Sequence, residues 1–237
     1  MTSLAVIHED AHLLVLDKPA GLLCVPGRGE DKQDCLSARA QARWPDALVV
    51  HRLDMATSGL VLMARSPAMQ RALGDAFAQR RVHKRYEAIV DGLLPASDTW
   101  SLIDAPLMAD WPRRPLQKVD TLNGKPSRTR WRVKRLLPDR DASHLWLEPL
   151  TGRSHQLRVH LLSIGHPIVG DKVYGGGKAR GVSGPNRAWA TELERRTPRQ
   201  FLHAWRLGFA HPRTGEPMKF ESKLPEELRA VRDWAVG

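Results

Sequence analysis

The chain has 237 residues, with 37 Lys and Arg against 26 Asp and Glu, a net charge of +11, 42% hydrophobic residues and two Cys. That length and apolar share suit one large domain or two small lobes with a real core, and exclude a disordered chain. Two Cys exclude a disulfide scaffold and suit a reducing, cytoplasmic setting; no apolar run approaches the roughly 18 residues of a membrane span.

The start, MTSLAVIHEDAH, meets acidic residues too early for a secretory leader. Leu4–Ile7 and Leu13–Leu16 then read as two strands of a hairpin, joined by the turn-prone Glu9–His12. Lys18-Pro19-Ala20-Gly21 ends the second strand, and residues 26–34 form a polar loop. Leu60–Ala64 is a short apolar strand. Ser66 is a good N-cap with Pro67 at the first helical position, and Met69, Ala72, Leu73, Ala76 and Phe77 recur on one helix face. Arg85–Val90 is a strand closed by Asp91-Gly92. The Pro-rich stretch 93–127 reads as loop with short strands. Strands follow near Arg128–Leu136 and His144–Leu150. Ser154–Ile164 reads as a helix stopped by Gly165. Residues 175–187 are Gly-rich and basic, the best candidate for a mobile loop. Phe201–Phe209 is a strand and Pro225–Val236 a terminal helix. Strands outnumber helices without regular alternation. The expected fold is therefore α+β, with a mainly antiparallel mixed sheet and flanking helices and loops.

The positive balance points to a polyanion, because Lys and Arg attract phosphates whatever the sequence. A basic but ordinary enzyme fits the composition equally. The eight Trp serve packing in most proteins, although aromatic rings also stack bases. Several common signatures are absent. Lys178 is followed by Ala179, so there is no phosphate-cradling P-loop. Cys24 and Cys35 lack zinc-ligand spacing and read as buried, inert thiols. His155 and His160 are five apart with no acid between them, which removes a metalloprotease, and no G-x-S-x-G occurs.

Two stretches carry chemistry. In His51-Arg52-Leu53-Asp54-Met55-Ala56-Thr57-Ser58-Gly59 a carboxylate sits beside a guanidinium that would keep it ionised. The same residues equally fit a surface Arg–Asp pair and a turn. In Leu150 to His160, Arg153 precedes a helix N-terminus, a combination that attracts anions; a solvated helix face fits equally.

Together these stretches resemble the RluA family of pseudouridine synthases. HRLDMATSG at 51–59 matches the family's catalytic motif H-R-L-D-x-x-T-S-G. TGRSHQLRVHL at 151–161, GHPIVGD at 165–171 and LHAWRLGFAHP at 202–212 match its later blocks in order, and Lys18–Gly21 and Lys84–Glu87 also fit. VPGR at 25–28, DWPRRP at 110–115 and QKVD at 117–120 look like the RluA subgroup, which modifies stem-loops of ribosomal and transfer RNA. The resemblance implies the pseudouridine synthase fold over residues 1–237, as one catalytic domain with two lobes around one cleft. It implies no separate RNA-binding domain, since the core begins within the first few residues.

It also implies the reaction: the uridine C1′–N1 bond breaks, the uracil turns, and C5 takes the sugar. Asp54 is then the nucleophile, a role a carboxylate fills at an electron-poor sugar carbon without a metal. Arg153 pairs with it. Tyr86 stacks on the uracil and is the candidate for removing the C5 proton, although a tyrosine pKa near 10 makes it a weak base unaided. Arg52 helps expel the uridine from its stack, at a cost of a few kcal/mol. His51 and Thr57 join Arg52 on the RNA side, and Leu202 is the apolar pocket residue. Lys18, Arg28, Arg113, Arg114, Lys118 and the run Lys178–Arg187 are candidate phosphate contacts. No cofactor or metal is expected; RNA is the partner, no membrane is involved, and a monomer is the default. The alternatives are a non-catalytic RNA-binding or ribosome-assembly protein on the same fold, and a glycoside hydrolase. The second needs two carboxylates, and no second acid stands in a comparable motif.

Overall fold

The computed structural model describes residues 4–175, 191–193 and 195–236. In chain order the elements are β1 (Ala5–Glu9), β2 (Leu13–Lys18), α1 (Leu36–Arg43), β3 (Leu48–Val49), β4 (Ser58–Ala64), α2 (Pro67–Ala78) and β5 (His83–Asp91). Then come β6 (Ser101–Asp104), β7 (Leu107–Ala109), β8 (Gln117–Val119), β9 (Arg128–Leu137), β10 (Ala142–Pro149), α3 (Gln156–Ser163), β11 (Leu202–Ala210), β12 (Pro217–Glu221) and α4 (Glu226–Val236). The fold is α+β, and the strand pairings detailed below are antiparallel. The chain divides into two compact units. One comprises Met1–Lys84 with Ala204–Lys223, the other Arg85–His203 with Leu224–Gly237.

In the first unit β1 and β2 form the expected hairpin, and β2 runs antiparallel to β4 with Leu13 opposite Ala64 and Lys18 opposite Gly59. β3 also pairs with β4, β4 neighbours β11, and β12 pairs with β11. Helix α2 starts where its cap predicts: the Ser66 side chain accepts from the Met69 amide at 3.1 Å. It buries Met69, Leu73 and Ala76 against Leu13, Val15, Leu60, Leu62, Leu207 and Phe209. Gly59 has φ +117°, and a Cβ there would lie 2.2 Å from the Ala204 carbonyl oxygen. Only glycine lets β4 pass this close to β11.

The second unit orders its strands β5-β10-β9-β6, with β7–β8 as a separate hairpin. Leu107, Val159 and Tyr174 form a small core, with Leu116, Val119 and Leu162 packed on it. Inside α3 the Arg158 guanidinium makes a buried two-point pair with Asp171, at 2.6 and 2.8 Å. Burial opposes the Asp171 charge, but this guanidinium outweighs it and lowers the carboxyl pKa.

The structure adds α1, β3 and β12 to the elements expected from sequence, and it starts α3 at Gln156 rather than Ser154. The cause of the shift is His155, which takes the left-handed conformation at φ 53°. The Lys178–Arg187 run lies outside the described residues.

Candidate active site

In the first unit the segment between β3 and β4 carries Asp54, and several anchors fix its backbone. Lys18, at the end of β2, is 0% exposed. Its ammonium donates to the carbonyls of Pro19 and Leu22 at 2.8 Å each, and to that of Met55 at 3.1 Å. The Gly21 amide donates to the same Met55 carbonyl at 2.8 Å. On the other side of Asp54, the Leu53 amide donates to Cys24 Sγ at 3.2 Å. Burial pushes the Cys24 thiol above its usual pKa, so it stays protonated and inert. The Thr57 amide closes the turn on the Asp54 carbonyl at 3.0 Å. Asp54 is half-buried, between an exposed Arg52 and an exposed Met55 nearby.

His51 anchors the segment's start. Its Nε2 accepts from the Leu62 amide at 2.9 Å, and its ring lies 4.7 Å from that of Phe77. Burial, with the Lys84 ammonium nearby, pushes the His51 pKa down to about 3. A neutral ring accepting at Nε2 carries its proton on Nδ1. Burial also brings Lys84 down to about 8; its Nζ lies 5.5 Å from the Phe77 ring centre.

One expectation changes here. Lys18 is wholly enclosed and shapes the Asp54 segment instead of meeting phosphate. His51 spends its acceptor on a strand amide. Thr57 is buried and serves the turn. Arg52 and Arg28 remain exposed.

In the second unit Tyr86 is buried on β5, opposite Leu147 of β10. Its neighbours point to the other face of the sheet. There the Arg85 guanidinium donates to Glu148 Oε1 at 2.6 and 3.0 Å, and Lys134 Nζ to Glu87 Oε1 at 2.5 Å. Burial alone would raise Glu87, but His144 and Lys134 outweigh it and bring its pKa to about 2. Leu202 is buried at the start of β11.

Arg153 is exposed in the turn before α3, and its backbone is held by Gln156. Gln156 is 4% exposed. Its Oε1 accepts from the Thr151 hydroxyl at 2.7 Å and the Arg153 amide at 3.1 Å. Its Nε2 donates to the Arg128 carbonyl at 2.9 Å and to Thr129 Oγ1 at 3.0 Å. Both lone pairs and both N–H groups of the amide are thus engaged inside the protein. Neither Gln156 nor Lys18 is marked by its sequence neighbourhood as a group that positions another residue.

The β7–β8 hairpin holds the remaining candidates. Arg113 pairs with Asp110 at 2.6 Å and Lys118 with Asp120 at 3.2 Å. Arg114 instead lies over the Trp111 ring, 3.3 Å from its centre. Among the described residues no group of three or more His, Cys, Asp or Glu is placed to hold a metal ion. No helix of the described residues is long and apolar enough to cross a membrane.

Chemically, the first unit offers a carboxylate on a rigid, half-buried turn, and the second a buried tyrosine and an arginine on a fixed turn. Comparison with known proteins gives this set a context. Residues 12–163 match the family model described as RNA pseudouridylate synthase. A protein of Escherichia coli named dual-specificity RNA pseudouridine synthase RluA is 43% identical over 219 residues, spanning 92% of each chain. The protein of that name from Yersinia pestis is 43% identical over 217 residues, 91% of this chain and 97% of its own. Among solved structures, human RNA pseudouridylate synthase domain containing 1 superposes with a TM-score of 0.70 at 28% identity, covering 96% of this chain and 87% of that one. Human RNA pseudouridylate synthase domain containing 4 gives 0.69 at 23% identity, covering 96% and 93%, a likeness of fold.

Proposed function

Since the chain belongs to the RluA family of RNA pseudouridine synthases, and is therefore an RNA isomerase, we propose that it converts a uridine in a stem-loop of ribosomal or transfer RNA, or both, with Asp54 as nucleophile. The observation that carries this reading is the Asp54 turn: the full H-R-L-D-x-x-T-S-G motif, fastened on both sides of one carboxylate. A nucleophile gains from such preorganisation, because its orientation is settled before substrate arrives.

The roles follow from the chemistry. Asp54 attacks or stabilises C1′ as the bond to N1 breaks. The uracil turns, C5 bonds to C1′, the C5 proton leaves, and N1 ends protonated. No atom is lost, so the product is an isomer. Tyr86 takes the place against the uracil, and Arg153 supplies the cation for the carboxylate. Arg52 fills the gap left by the flipped base, a task its planar guanidinium suits. The enzyme works as a cytoplasmic monomer without metal or cofactor. A binder of the ribosome-assembly kind would have no use for the carboxylate, tyrosine and arginine together.

The reading is tested by incubating purified protein with ribosomal and transfer RNA transcripts in excess EDTA and mapping pseudouridine with a reagent specific for it. We expect modification confined to one or a few uridines in loops. Absence of any pseudouridine on either RNA class would sink the assignment of substrate.

Gln156 supplies a second prediction. Gln156→Leu keeps the volume but strips partners from the Arg153 amide, the Arg128 carbonyl and the Thr151 hydroxyl. Each buried group so orphaned costs about 1–3 kcal/mol. At a temperature where the variant stays folded, its single-turnover rate at saturating RNA is expected to fall roughly 10-fold or more while RNA affinity changes little, since a misplacement near 1 Å costs up to about 100-fold. Gln156→Glu keeps the acceptor facing Arg153 and Thr151 and should recover part of the rate. Equal rates for Leu and wild type would show that Gln156 does not position Arg153.

A further inference from the structure

The turn between β7 and β8 displays a surface that the reaction above leaves without a task. Trp111 is 62% exposed although Arg114 covers one side of its ring. A large indole left so open loses the burial that would stabilise it, and it keeps a flat apolar face available for stacking. Leu122, just past β8, is 90% exposed. It does not fold back, because Asp120 Oδ1 accepts from the amides of Leu122 and Asn123 at 3.1 and 2.9 Å. Residues 110–125 carry four cations, Arg113, Arg114, Lys118 and Lys125, against the carboxylates of Asp110 and Asp120. The surface around the open ring is therefore basic.

This turn is rigid. The Asp110 amide donates to the Leu116 carbonyl, the Arg113 amide to that of Asp110, and the Leu116 amide to that of Arg113, all at 2.9 Å. Arg113 Nε also donates to Asp110 Oδ2 at 2.8 Å. One connection leads to the turn that carries Arg153. The Gln117 amide donates to the Tyr174 hydroxyl at 2.7 Å, and that hydroxyl lies 2.7 Å from His155 Nδ1. His155 is two residues from Arg153. The open indole is thus held at a set place relative to Arg153.

We propose that Trp111, backed by Arg114, is a stacking platform for an unpaired base of the substrate stem-loop other than the target uridine, and so helps choose which loop is modified. This rests on the isomerase reading and deepens it. An indole sandwiched on one side by a guanidinium suits any base face, and the surrounding charge suits the adjacent phosphates. Loop bases are the ones available, since paired bases are already stacked.

The test uses the full chain with Trp111→Ala, Trp111→Phe and Arg114→Gln. Thermal unfolding first confirms that each is folded. Affinity is measured for a substrate stem-loop and for a hairpin-free duplex of equal length, with 2-aminopurine placed in turn at each non-target loop position. Loss of one stacked base should weaken stem-loop binding by Trp111→Ala roughly 10- to 100-fold. Duplex binding should stay unchanged, and Trp111→Phe should recover much of the loss. One 2-aminopurine position should be quenched by wild type and not by Trp111→Ala. The single-turnover rate of Trp111→Ala at saturating RNA should fall far less than its stem-loop affinity.

Unchanged stem-loop affinity in Trp111→Ala would overturn the proposal and leave the patch to a protein partner. Equal loss on stem-loop and duplex would also overturn it, by making the residue a support for phosphate binding. A wild-type protein that modified no RNA would instead defeat the isomerase reading, and the binding comparison would still report on Trp111 separately.

Discussion

Asp54→Asn is expected to fold, bind the stem-loop with nearly unchanged affinity, and lose isomerisation by roughly 10,000-fold or more. The substitution keeps the shape of the side chain and removes its charge. The backbone of the turn has anchors of its own. The Met55 carbonyl is held by Lys18 and Gly21, the Leu53 amide by Cys24, and the Asp54 carbonyl by Thr57. These anchors should keep the backbone in place, so a loss of rate without a loss of binding reports on the side chain and not on a collapsed turn. An amide cannot match a carboxylate as nucleophile toward C1′, nor offset positive charge that develops there. The measurement is single-turnover conversion beside a binding isotherm on the same RNA. Turnover within about 10-fold of wild type would remove Asp54 from its role, because a nucleophile's deletion costs far more than that.

The second large effect belongs to Lys18. Lys18→Met keeps the chain length and leaves the carbonyls of Pro19, Leu22 and Met55 facing an apolar group. The ammonium is fully enclosed, so water does not take its place without rearrangement. The Met55 carbonyl keeps the Gly21 amide, but the carbonyls of Pro19 and Leu22 lose the donor, at about 1–3 kcal/mol each, or roughly 3–5 kcal/mol together. For a chain of this size that corresponds to a fall in melting temperature of roughly 10 °C or more. The same variant should lose activity even below its melting point, since the Met55 carbonyl that Lys18 holds belongs to the residue following the nucleophile. The expected signature is a lower single-turnover rate at saturating RNA with little change in affinity. A variant as stable and as active as wild type would mean that the three carbonyls find other partners.

Lys18 also shows where sequence reading reaches its limit. A lysine next to Pro-Ala-Gly reads as a solvated charge, because buried lysines are rare. What encloses it is the return of the Met55 carbonyl from 37 residues away, and no local pattern announces that. His51 was obscured likewise, since its acceptor is used by the amide of Leu62. Helix α2 was legible in full: a Ser-Pro cap, apolar spacing near 3.6 and no interruption. Helix α1 was not. Its sequence, LSARAQAR, buries only Leu36, Ser37 and Ala40, and its N-cap is Cys35, outside the usual capping residues. β12 opens on proline and runs five residues, which hides its alternation. The site motifs stood out through resemblance, whereas the residues that brace them, Gln156 above all, are visible only once the chain is folded.

The division of the chain into two interleaved stretches has a consequence for how the protein is made. The unit that bears Asp54 opens with residue 1 and is completed only by residues 204–223. During vectorial synthesis the nascent β4 must wait for more than a hundred further codons before β11 arrives beside it. Until then that edge, beyond Met63 and Ala64 where β3 pairs, is an unpaired row of amides and carbonyls, the kind of template on which strands of other chains assemble. A ribosome that stalls within the stretch 85–203 would release a product with a finished nucleophile motif and an open sheet edge. Such fragments should be insoluble in expression trials, and the long separation of β4 from β11 should make refolding of the whole chain slow for its size.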